Sequence, residues 1–216
     1  MKIVFWNAYH GFEKSQNGML PPQQRKNQFA AWLNEQQADV VILLEMSGFD
    51  HTKLSIYASR WGHAHVLLNS GRFPIAITSR WLIQNPFCHY QNMKNGFVMA
   101  KIQQQEIFVT HIPTAKYANR DLESQELLSH LIPLIRDNRS PLIFADLNSF
   151  ANTPLVNAMQ AIGLQFVSEN ETVDYIMHPH SVPVFSTIKQ KKLSDHPAII
   201  LTWPAIAEQN DKPIDP

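Results

Sequence analysis

LIFADLN, residues 142–148, is the stretch of sequence that decides the fold. Residues 142–145 are apolar and suit a buried strand, whereas Asp and Asn are residue types that strands disfavour. Residues two apart in an extended chain point to the same side. The sequence therefore predicts that Asp146 and Asn148 project together from the end of a rigid strand.

Apolar runs that end in a polar side chain recur along the chain. The other polar positions are Asn7 after KIVFW, Glu45 after DVVILL, His111 after EIFVT, Asp174 within TVDYIM, and Asp195 and His196 just before PAIIL. A lone carboxylate is costly to bury unless it is paired or binds a metal. We therefore expect these side chains to meet in one cleft at the mouth of a sheet.

The residue types in this set indicate metal-assisted chemistry on a phosphate. Oxygen donors without cysteine favour a hard cation such as Mg²⁺ or Mn²⁺. Such a cation neutralises a phosphate and activates an attacking water. An imidazole can move protons near neutral pH, and a carboxylate beside it fixes its tautomer and supports its charge.

The order of predicted elements indicates an α/β protein with mixed sheets, because many strands occur in neighbouring pairs among a few helices. No glycine-rich phosphate loop is present, so nucleotide-loop folds have no support. Strands are predicted at 2–7, 39–45, 64–68, 73–79, 97–101, 106–111, 142–146, 173–177 and 197–203, and helices at 22–37, 119–137 and 154–162. We expect Pro133 to kink or shorten the second helix, and Thr153 to cap the third.

Length and composition set the limits of these interpretations. The chain has 216 residues, which suits one domain at 1–203 followed by a loose tail at 204–216. Eighteen basic and 18 acidic residues give zero net charge, which argues against a large basic surface but allows a local basic cleft. The single cysteine, Cys88, excludes an internal disulfide. The first apolar run is too short for a signal peptide and no stretch could span a bilayer, so we expect a cytoplasmic protein.

In its order of motifs, the sequence resembles the endonuclease/exonuclease/phosphatase superfamily, which has the deoxyribonuclease I-like fold. The matching pieces are WN at 6–7, LLE at 43–45, SGRFPIAITSR at 70–80, TH at 110–111, ADLN at 145–148, VDYI at 173–176 and LSDHPAIIL at 193–201. The resemblance implies a four-layer sandwich of two mixed β-sheets flanked by helices. It also implies metal-dependent cleavage of a phosphoester.

The resemblance also implies a role for each matching residue. Glu45 is the main metal ligand, Asn7 supports the metal or the phosphate, and Asp195 is a second carboxylate on the metal side. Asp146 orients the attacking water or the leaving oxygen, and Asn148 binds the scissile phosphate. His196 is a general acid/base or a phosphate-stabilising residue, oriented by Asp174. His111 matches a strand-end histidine of several branches; residues 64–80 contain no carboxylate to support it, which favours phosphate binding over acid catalysis.

Several further positions have open interpretations. Arg72 could reach a substrate phosphate or form a surface salt bridge. Lys189, Lys191 and Lys192 could contact a phosphate backbone or simply be solvated. The pairs His63/His65 and His178/His180 have the same-face spacing of metal ligands, although two histidines alone are a weak signal.

The leading prediction is a Mg²⁺-dependent phosphodiesterase, monomeric, that acts on DNA or RNA by endonuclease or exonuclease cleavage. The first alternative is a phosphatase or phospholipase-type enzyme that acts on a lipid or a small phosphate ester. The second is a catalytically inactive binding module on the same fold. The complete set of acidic and imidazole residues argues against the inactive module.

Overall fold

The computed structural model describes residues 1–114, 116, 119–150, 152–167, 173–181 and 185–204. Apart from Pro204, the predicted C-terminal tail lies outside these residues. Among the helices described, none combines the length and the apolar character needed to cross a membrane.

The first sheet has six strands and contains the N-terminal strand. Its members are β1 (Lys2–Asn7), β2 (Val40–Leu44), β3 (His65–Leu68), β4 (Ala76–Ser79), β11 (Phe185–Ile188) and β12 (Ala198–Thr202). Their spatial order is β11-β12-β1-β2-β4-β3. The β1–β2 pair is parallel and the other pairs are antiparallel, so the sheet is mixed.

The second sheet also has six strands and contains LIFAD. Its members are β5 (Ile83–His89), β6 (Phe97–Ile102), β7 (Gln105–His111), β8 (Leu142–Asp146), β9 (Gln165–Val167) and β10 (Asp174–His178). Their spatial order is β5-β6-β7-β8-β10-β9. This sheet is mixed as well, because only the β7–β8 pair is parallel.

Helices cover the outer face of each sheet. They are α1 (Pro22–Gln36), α2 (His51–Ser59), α3 (Arg120–Arg136) and α4 (Pro154–Ala161), with one 3₁₀ turn at His10–Phe12. Residues of α1 and α2 pack with the outer face of the first sheet, and residues of α3 and α4 pack with the outer face of the second. The arrangement confirms the predicted four-layer sandwich.

The inner faces of the two sheets form a third core. Alternate residues of most strands enter it, among them Phe5 of β1 and Phe144 of β8, whose ring centroids lie 5.5 Å apart. This alternation is what a strand requires, since successive side chains point to opposite faces. The two sheets are therefore held face to face by side chains directly beneath the strand ends.

Four elements were not predicted from the sequence: α2, β5, β9 and β11. β5 escapes detection because Pro86 and the positive φ of Asn85 (47°) interrupt its pattern, and its register with β6 shifts between Gln84 and Phe87. α3 continues for three residues beyond Pro133, so the proline does not end the helix where it occurs. Thr153 occupies the predicted N-cap position of α4, but its hydroxyl makes no capping hydrogen bond.

Candidate active site

Strand alternation places four of the predicted residues on the inner faces of the sheets. Asn7 follows the inner-facing Ile3 and Phe5 along β1, and His111, Asp146 and Asp174 hold the corresponding positions on β7, β8 and β10. The registers pair Asp146 with His111 on one side and with Asp174 on the other. These polar side chains therefore point to the same inner face as the apolar core residues that precede them on each strand.

Glu45 reaches the same cleft by a different route. The inner-facing residues of β2 are Val40, Ile42 and Leu44, so a strand continuing through residue 45 would turn its carboxylate to the outer face. Instead Glu45 has a φ of 58°, in the left-handed region that few non-glycine residues adopt. Backbone strain of this kind concentrates at functional sites. Its Oε2 accepts a hydrogen bond from the His10 amide at 3.0 Å.

Asn7 joins the carboxylates of the two sheets. Its Nδ2 donates to Glu45 Oε1 at 3.1 Å and to Asp146 Oδ2 at 3.0 Å, and its Oδ1 accepts from the Tyr9 amide at 3.0 Å. One carboxamide therefore fixes a carboxylate from each sheet at hydrogen-bond distance from the same nitrogen.

The prediction that Asp146 and Asn148 both extend from one straight strand is wrong. The strand ends at Asp146, and Asn148 has a φ of 46°, so the chain turns and the two side chains do not alternate along an extended strand. The turn is stabilised by the Asn148 amide, which donates to Asp146 Oδ1 at 2.9 Å. Asn148 nevertheless lies in the cleft: its Nδ2 donates to the Ile112 carbonyl at 2.8 Å and lies 3.3 Å from His111 Nε2.

Asp174 and His196 form the closest ionic contact of the site, although both follow the other site residues, Asn7 to Asn148, at a distance in the sequence. His196 Nδ1 lies 2.7 Å from Asp174 Oδ2, and its Nε2 lies 3.9 Å from Asp146 Oδ2. The His196 amide donates to Ser194 Oγ at 3.2 Å, and its carbonyl accepts from Trp6 Nε1 at 2.9 Å. The imidazole is thus oriented by Asp174 with its second nitrogen directed toward the cleft.

Burial and mutual charge shift the pKa values of this group in opposite directions. Burial opposes the charged form of His196, but the adjoining Asp174 carboxylate outweighs it and raises the His196 pKa to about 10. Burial, reinforced by Asp174, raises the pKa of Asp146 to about 6. Burial also acts against the charged form of Glu45, yet His111 and the Asn7 hydrogen bond prevail and lower its pKa. Near neutral pH, the site therefore combines a protonated imidazole with ionised carboxylates.

His111 has a neighbour that the sequence did not predict. Its Nε2 lies 3.7 Å from Asp146 Oδ2 and 3.9 Å from Glu45 Oε1. On α3, the buried Glu123 interacts electrostatically with His111, and burial raises the pKa of the Glu123 carboxyl. Within the described residues, His111 Nδ1, Glu123 Oε2 and Asn95 Oδ1 are all buried without a hydrogen-bond partner. From the sequence, a carboxylate beside His111 is expected only in residues 64–80. Glu123 lies on α3 instead, so the sequence spacing did not point to it.

Asp195 and Arg72 are both exposed residues of the predicted site. Asp195 accepts a hydrogen bond from Gln16 Nε2 at 3.2 Å, and its charge is among those that raise the pKa of His196. The guanidinium of Arg72 lies 5.7 Å from the Phe73 ring, which itself lies 5.9 Å from the His111 ring. Both residues therefore flank the cleft.

A second missed residue, Arg120, supports the loop that carries Asn148. Its Nη2 donates to the Asn148 carbonyl at 3.0 Å and to the Leu147 carbonyl at 3.2 Å, and it also contacts Ser149 Oγ. Tyr175 donates its hydroxyl to the Ser149 carbonyl at 2.7 Å. The next residue, Phe150, is 59% exposed, so an aromatic ring projects into solvent beside the cleft.

The side chains of the cleft fit a hard divalent cation. Carboxylates of Glu45, Asp146 and Asp174 converge there; burial raises the pKa of Asp146, and repulsion from Asp174, which a cation would relieve, adds to it. Ligand atoms of Asp146 and Asp174 lie within 4.8 Å of each other, beside the protonated imidazole of His196. Since no sulfur donor is present, magnesium or manganese suits the set better than a thiophilic metal.

Comparison with known proteins identifies the family of this fold. The profile of the Endonuclease/Exonuclease/phosphatase family matches residues 4–196. No curated protein sequence matches the chain.

Solved structures with the same fold include proteins of several activities. An AP endonuclease from Archaeoglobus fulgidus has a TM-score of 0.70 and 15% identity, with 95% of this chain and 100% of that one covered. A 3′ phosphatase from Neisseria, bound to a product DNA hairpin, has a TM-score of 0.69 and 14% identity over 95% and 100%. Sphingomyelinase C from Streptomyces griseocarneus has a TM-score of 0.61 and 14% identity over 93% and 98%.

Proposed function

Because the chain belongs to the endonuclease/exonuclease/phosphatase family, we propose that it is a divalent-metal-dependent phosphodiesterase that cleaves DNA or RNA. The observation that carries this proposal is the 2.7 Å contact between Asp174 Oδ2 and His196 Nδ1, made within reach of Asp146. An inactive binding module would have no use for a buried carboxylate that holds a protonated imidazole beside a second carboxylate. The proposed groups all belong to one chain, so the site needs no second copy, and we expect the protein to act as a monomer.

Metal binding falls to Glu45, with Asn7 as its support, because the lowered pKa of Glu45 keeps its carboxylate ionised at neutral pH. A bound Mg²⁺ or Mn²⁺ supplies positive charge at the phosphate and lowers the pKa of an attacking water. Asp195 is exposed at the rim of the cleft, so it would support the metal from outside the buried carboxylates.

The remaining residues divide the proton transfer and the phosphate binding. Asp146, with a pKa of about 6, is ionised near neutral pH and accepts a proton from the attacking water. His196, with a pKa of about 10, holds a proton at Nε2 and gives it to the leaving oxygen. Asn148 Nδ2 and His111 Nε2, 3.3 Å apart, donate to the non-bridging oxygens.

Two surface features beside the cleft favour a nucleic acid as the substrate. Lys189, Lys191 and Lys192, which we call the basic turn, are exposed and precede His196 by four to seven residues. Cations so placed can bind the phosphate backbone although the net charge of the chain is zero. The exposed ring of Phe150 offers a surface on which an unpaired base can stack.

The alternative is a phosphatase or phospholipase-type hydrolase that acts on a lipid or a small phosphate ester. An exposed phenylalanine beside the cleft also suits an apolar lipid tail, and the fold is shared with a sphingomyelinase. The two hypotheses differ in what the basic turn does, since a small ester does not extend to it.

A substrate panel separates these hypotheses. We would assay plasmid DNA, single-stranded DNA, RNA, sphingomyelin and inositol phosphates, each with Mg²⁺ and with chelator, using Glu45→Gln as the inactive control. For a nuclease, affinity falls steeply with salt, and replacing the basic turn with alanines flattens that dependence by about one unit of slope per lost contact. The same variant should cleave a small chromogenic phosphodiester at the wild-type rate.

Best turnover on a lipid, or an affinity for nucleic acid that does not depend on salt, would decide for the alternative. Activity on every substrate in excess chelator would contradict the metal-dependent mechanism itself.

A further inference from the structure

A second cluster of possible metal ligands lies on the outer face of the second sheet. It consists of His89, the last residue of β5, with Glu126 and His130, which are one turn apart on α3. His89 Nε2 lies 2.9 Å from Glu126 Oε1, and His130 Nε2 lies 3.2 Å from the same oxygen. Ligand atoms bound to one tetrahedral zinc ion at about 2.0–2.2 Å lie roughly 3.4 Å apart, so these separations need little adjustment.

The two imidazoles are held in place by a buried aromatic ring. The His89 ring stacks on Phe97, with centroids 4.9 Å apart and an interplanar angle of 19°, and the His130 ring meets Phe97 edge-on, also at 4.9 Å. His89 and Phe97 are direct partners in the β5–β6 register. Phe97 itself is buried in the core beneath α3. The ligand atoms are therefore positioned by the core of the protein rather than by flexible surface side chains.

The carboxylate of the cluster is also held by a neighbour. Asn92 Nδ2 donates to Glu126 Oε2 at 3.1 Å, which leaves Oε1 facing both imidazoles. The hydrogen bond from Asn92, together with those from the histidines, lowers the pKa of Glu126 against the effect of burial, so the carboxylate is ionised. An outer partner that orients a ligating side chain is a regular feature of metal sites.

We propose that His89, Glu126 and His130 bind a divalent transition metal of the zinc class, at a site separate from the catalytic cleft. Two imidazoles and one carboxylate are donors that zinc accepts readily, unlike the all-oxygen set preferred by magnesium. An ion could reach the cluster from solvent, because the side chain of His130 is 34% exposed. The ion joins the edge strand β5 to α3 and so fastens one side of the second sheet.

The histidine pairs singled out in the sequence do not offer such a site. His63 uses both ring nitrogens, at 2.8 Å from Thr78 Oγ1 and 2.9 Å from the Ala38 carbonyl. His178 Nδ1 accepts from the His180 amide at 3.1 Å. The spacing of Glu126 and His130 in the sequence did carry a signal, since residues four apart share a helix face, but the partner strand β5 was not predicted.

The test is a Zn²⁺ titration of the full chain, read by metal content after gel filtration, by the visible spectrum with Co²⁺ in place of Zn²⁺, and by the melting temperature. We expect Glu45→Gln, which lacks the main catalytic ligand, to retain this Zn²⁺ affinity, and His51→Gln, a change at an exposed histidine, to do so as well. His89→Gln and His130→Gln should each weaken binding more than about a hundredfold, and Asn92→Ala by about 10- to 100-fold. Zn²⁺ should raise the melting temperature of the wild type but not that of His130→Gln.

Each variant is checked for folding by its melting temperature in chelator, and Asn92→Ala keeps the test valid should a histidine variant unfold. An affinity for Zn²⁺ that is unchanged in His89→Gln, His130→Gln and Asn92→Ala would overturn the proposal. A Co²⁺ spectrum that disappears in Glu45→Gln but persists in His130→Gln would overturn it too, because it would assign the ion to the catalytic cleft.

Discussion

The replacement of Asp174 by Asn tests the pair on which the proposed mechanism depends. Asn preserves the size of the side chain but removes the negative charge that faces His196 Nδ1 at 2.7 Å. A neutral carboxamide is a weaker acceptor, and its amino group can also favour the wrong imidazole tautomer. The change should therefore affect both the charge of His196 and the direction in which its remaining nitrogen points.

The expected size of the effect follows from the pKa of His196. Asp174 is the main group that raises this pKa to about 10 against the opposing effect of burial. Without that carboxylate, burial still opposes the protonated ring while Asp146 and Asp195 still favour it, so the pKa of His196 should fall well below its wild-type value. A larger fraction of the imidazole would then be neutral at pH 8, and we expect turnover to fall on the order of a hundredfold, which corresponds to ~2.7 kcal/mol in the barrier.

The same pKa shift makes a prediction about stability. Because His196 has a higher pKa in the folded protein than in the unfolded chain, the pair stabilises the folded state fully below about pH 6.5, and this contribution is lost as the pH rises through about 10. Asp174→Asn should thus lower the free energy of unfolding at neutral pH and have little effect above pH 10. Urea denaturation at several pH values measures this difference.

The assay combines steady-state kinetics with an NMR titration of the His196 ring. We expect kcat to fall in Asp174→Asn with little change in KM, and the double variant with His196→Ala to lose little more than either single variant, because the two residues act as one unit. Asp137→Asn, an exposed change at the far end of α3, is the matched control. Additive losses in the cycle, or a His196 pKa that Asp174→Asn leaves unaltered, would refute the reasoning.

Three other changes are expected to have distinct effects. Glu45→Gln should reduce turnover on the order of a hundredfold or more while the circular dichroism spectrum stays native, whereas Glu35→Gln, an exposed change on α1, should have no effect on kinetics. Asp146→Asn should reduce turnover on the order of a hundredfold or more, because a carboxamide cannot accept the proton of the attacking water, and the wild type should show an acidic limb near pH 6 in its pH–rate profile. The raised pKa of Asp146 means that its charged form opposes folding, so this variant should also be more stable than the wild type to urea at pH 7. Glu123→Gln should change the NMR chemical shifts of the His111 ring at a fixed pH, and unchanged shifts would remove Glu123 from the site.

Much of the site could be predicted because residue type and strand alternation can both be read from short stretches of sequence. The apolar runs before Asn7, His111 and Asp146 determine both where the strands end and which face each polar group joins. The pairing of these strands then brings the groups together. The same alternation misplaces Glu45 and Asn148, because both have positive φ angles, which an extended strand does not have.

The edge strands β9 and β11, which the sequence did not predict, are held by tertiary contacts rather than by a local pattern. β11 pairs with β12 at an edge of its sheet, and β9 pairs with β10 at an edge of the other. Edge strands have one hydrogen-bonded neighbour and half-buried side chains, so their sequences need not alternate strongly. Glu123 and Arg120 were missed for a related reason, since only the folded chain brings their partners, His111 at the end of β7 and the carbonyls of residues 147–148, to the start of α3.

The hydrogen bond from Asn7 on the first sheet to Asp146 on the second makes the geometry of the cleft depend on the relative position of the two sheets. A slide of one sheet over the other would break this contact long before the strands themselves came apart. An error of about 1 Å in the placement of reacting groups costs on the order of a hundredfold in rate. Phe5 and Phe144, which meet 5.5 Å apart just below the cleft, act as the spacer that prevents such a slide. We therefore expect heat or mechanical force to abolish catalytic activity before most of the backbone unfolds.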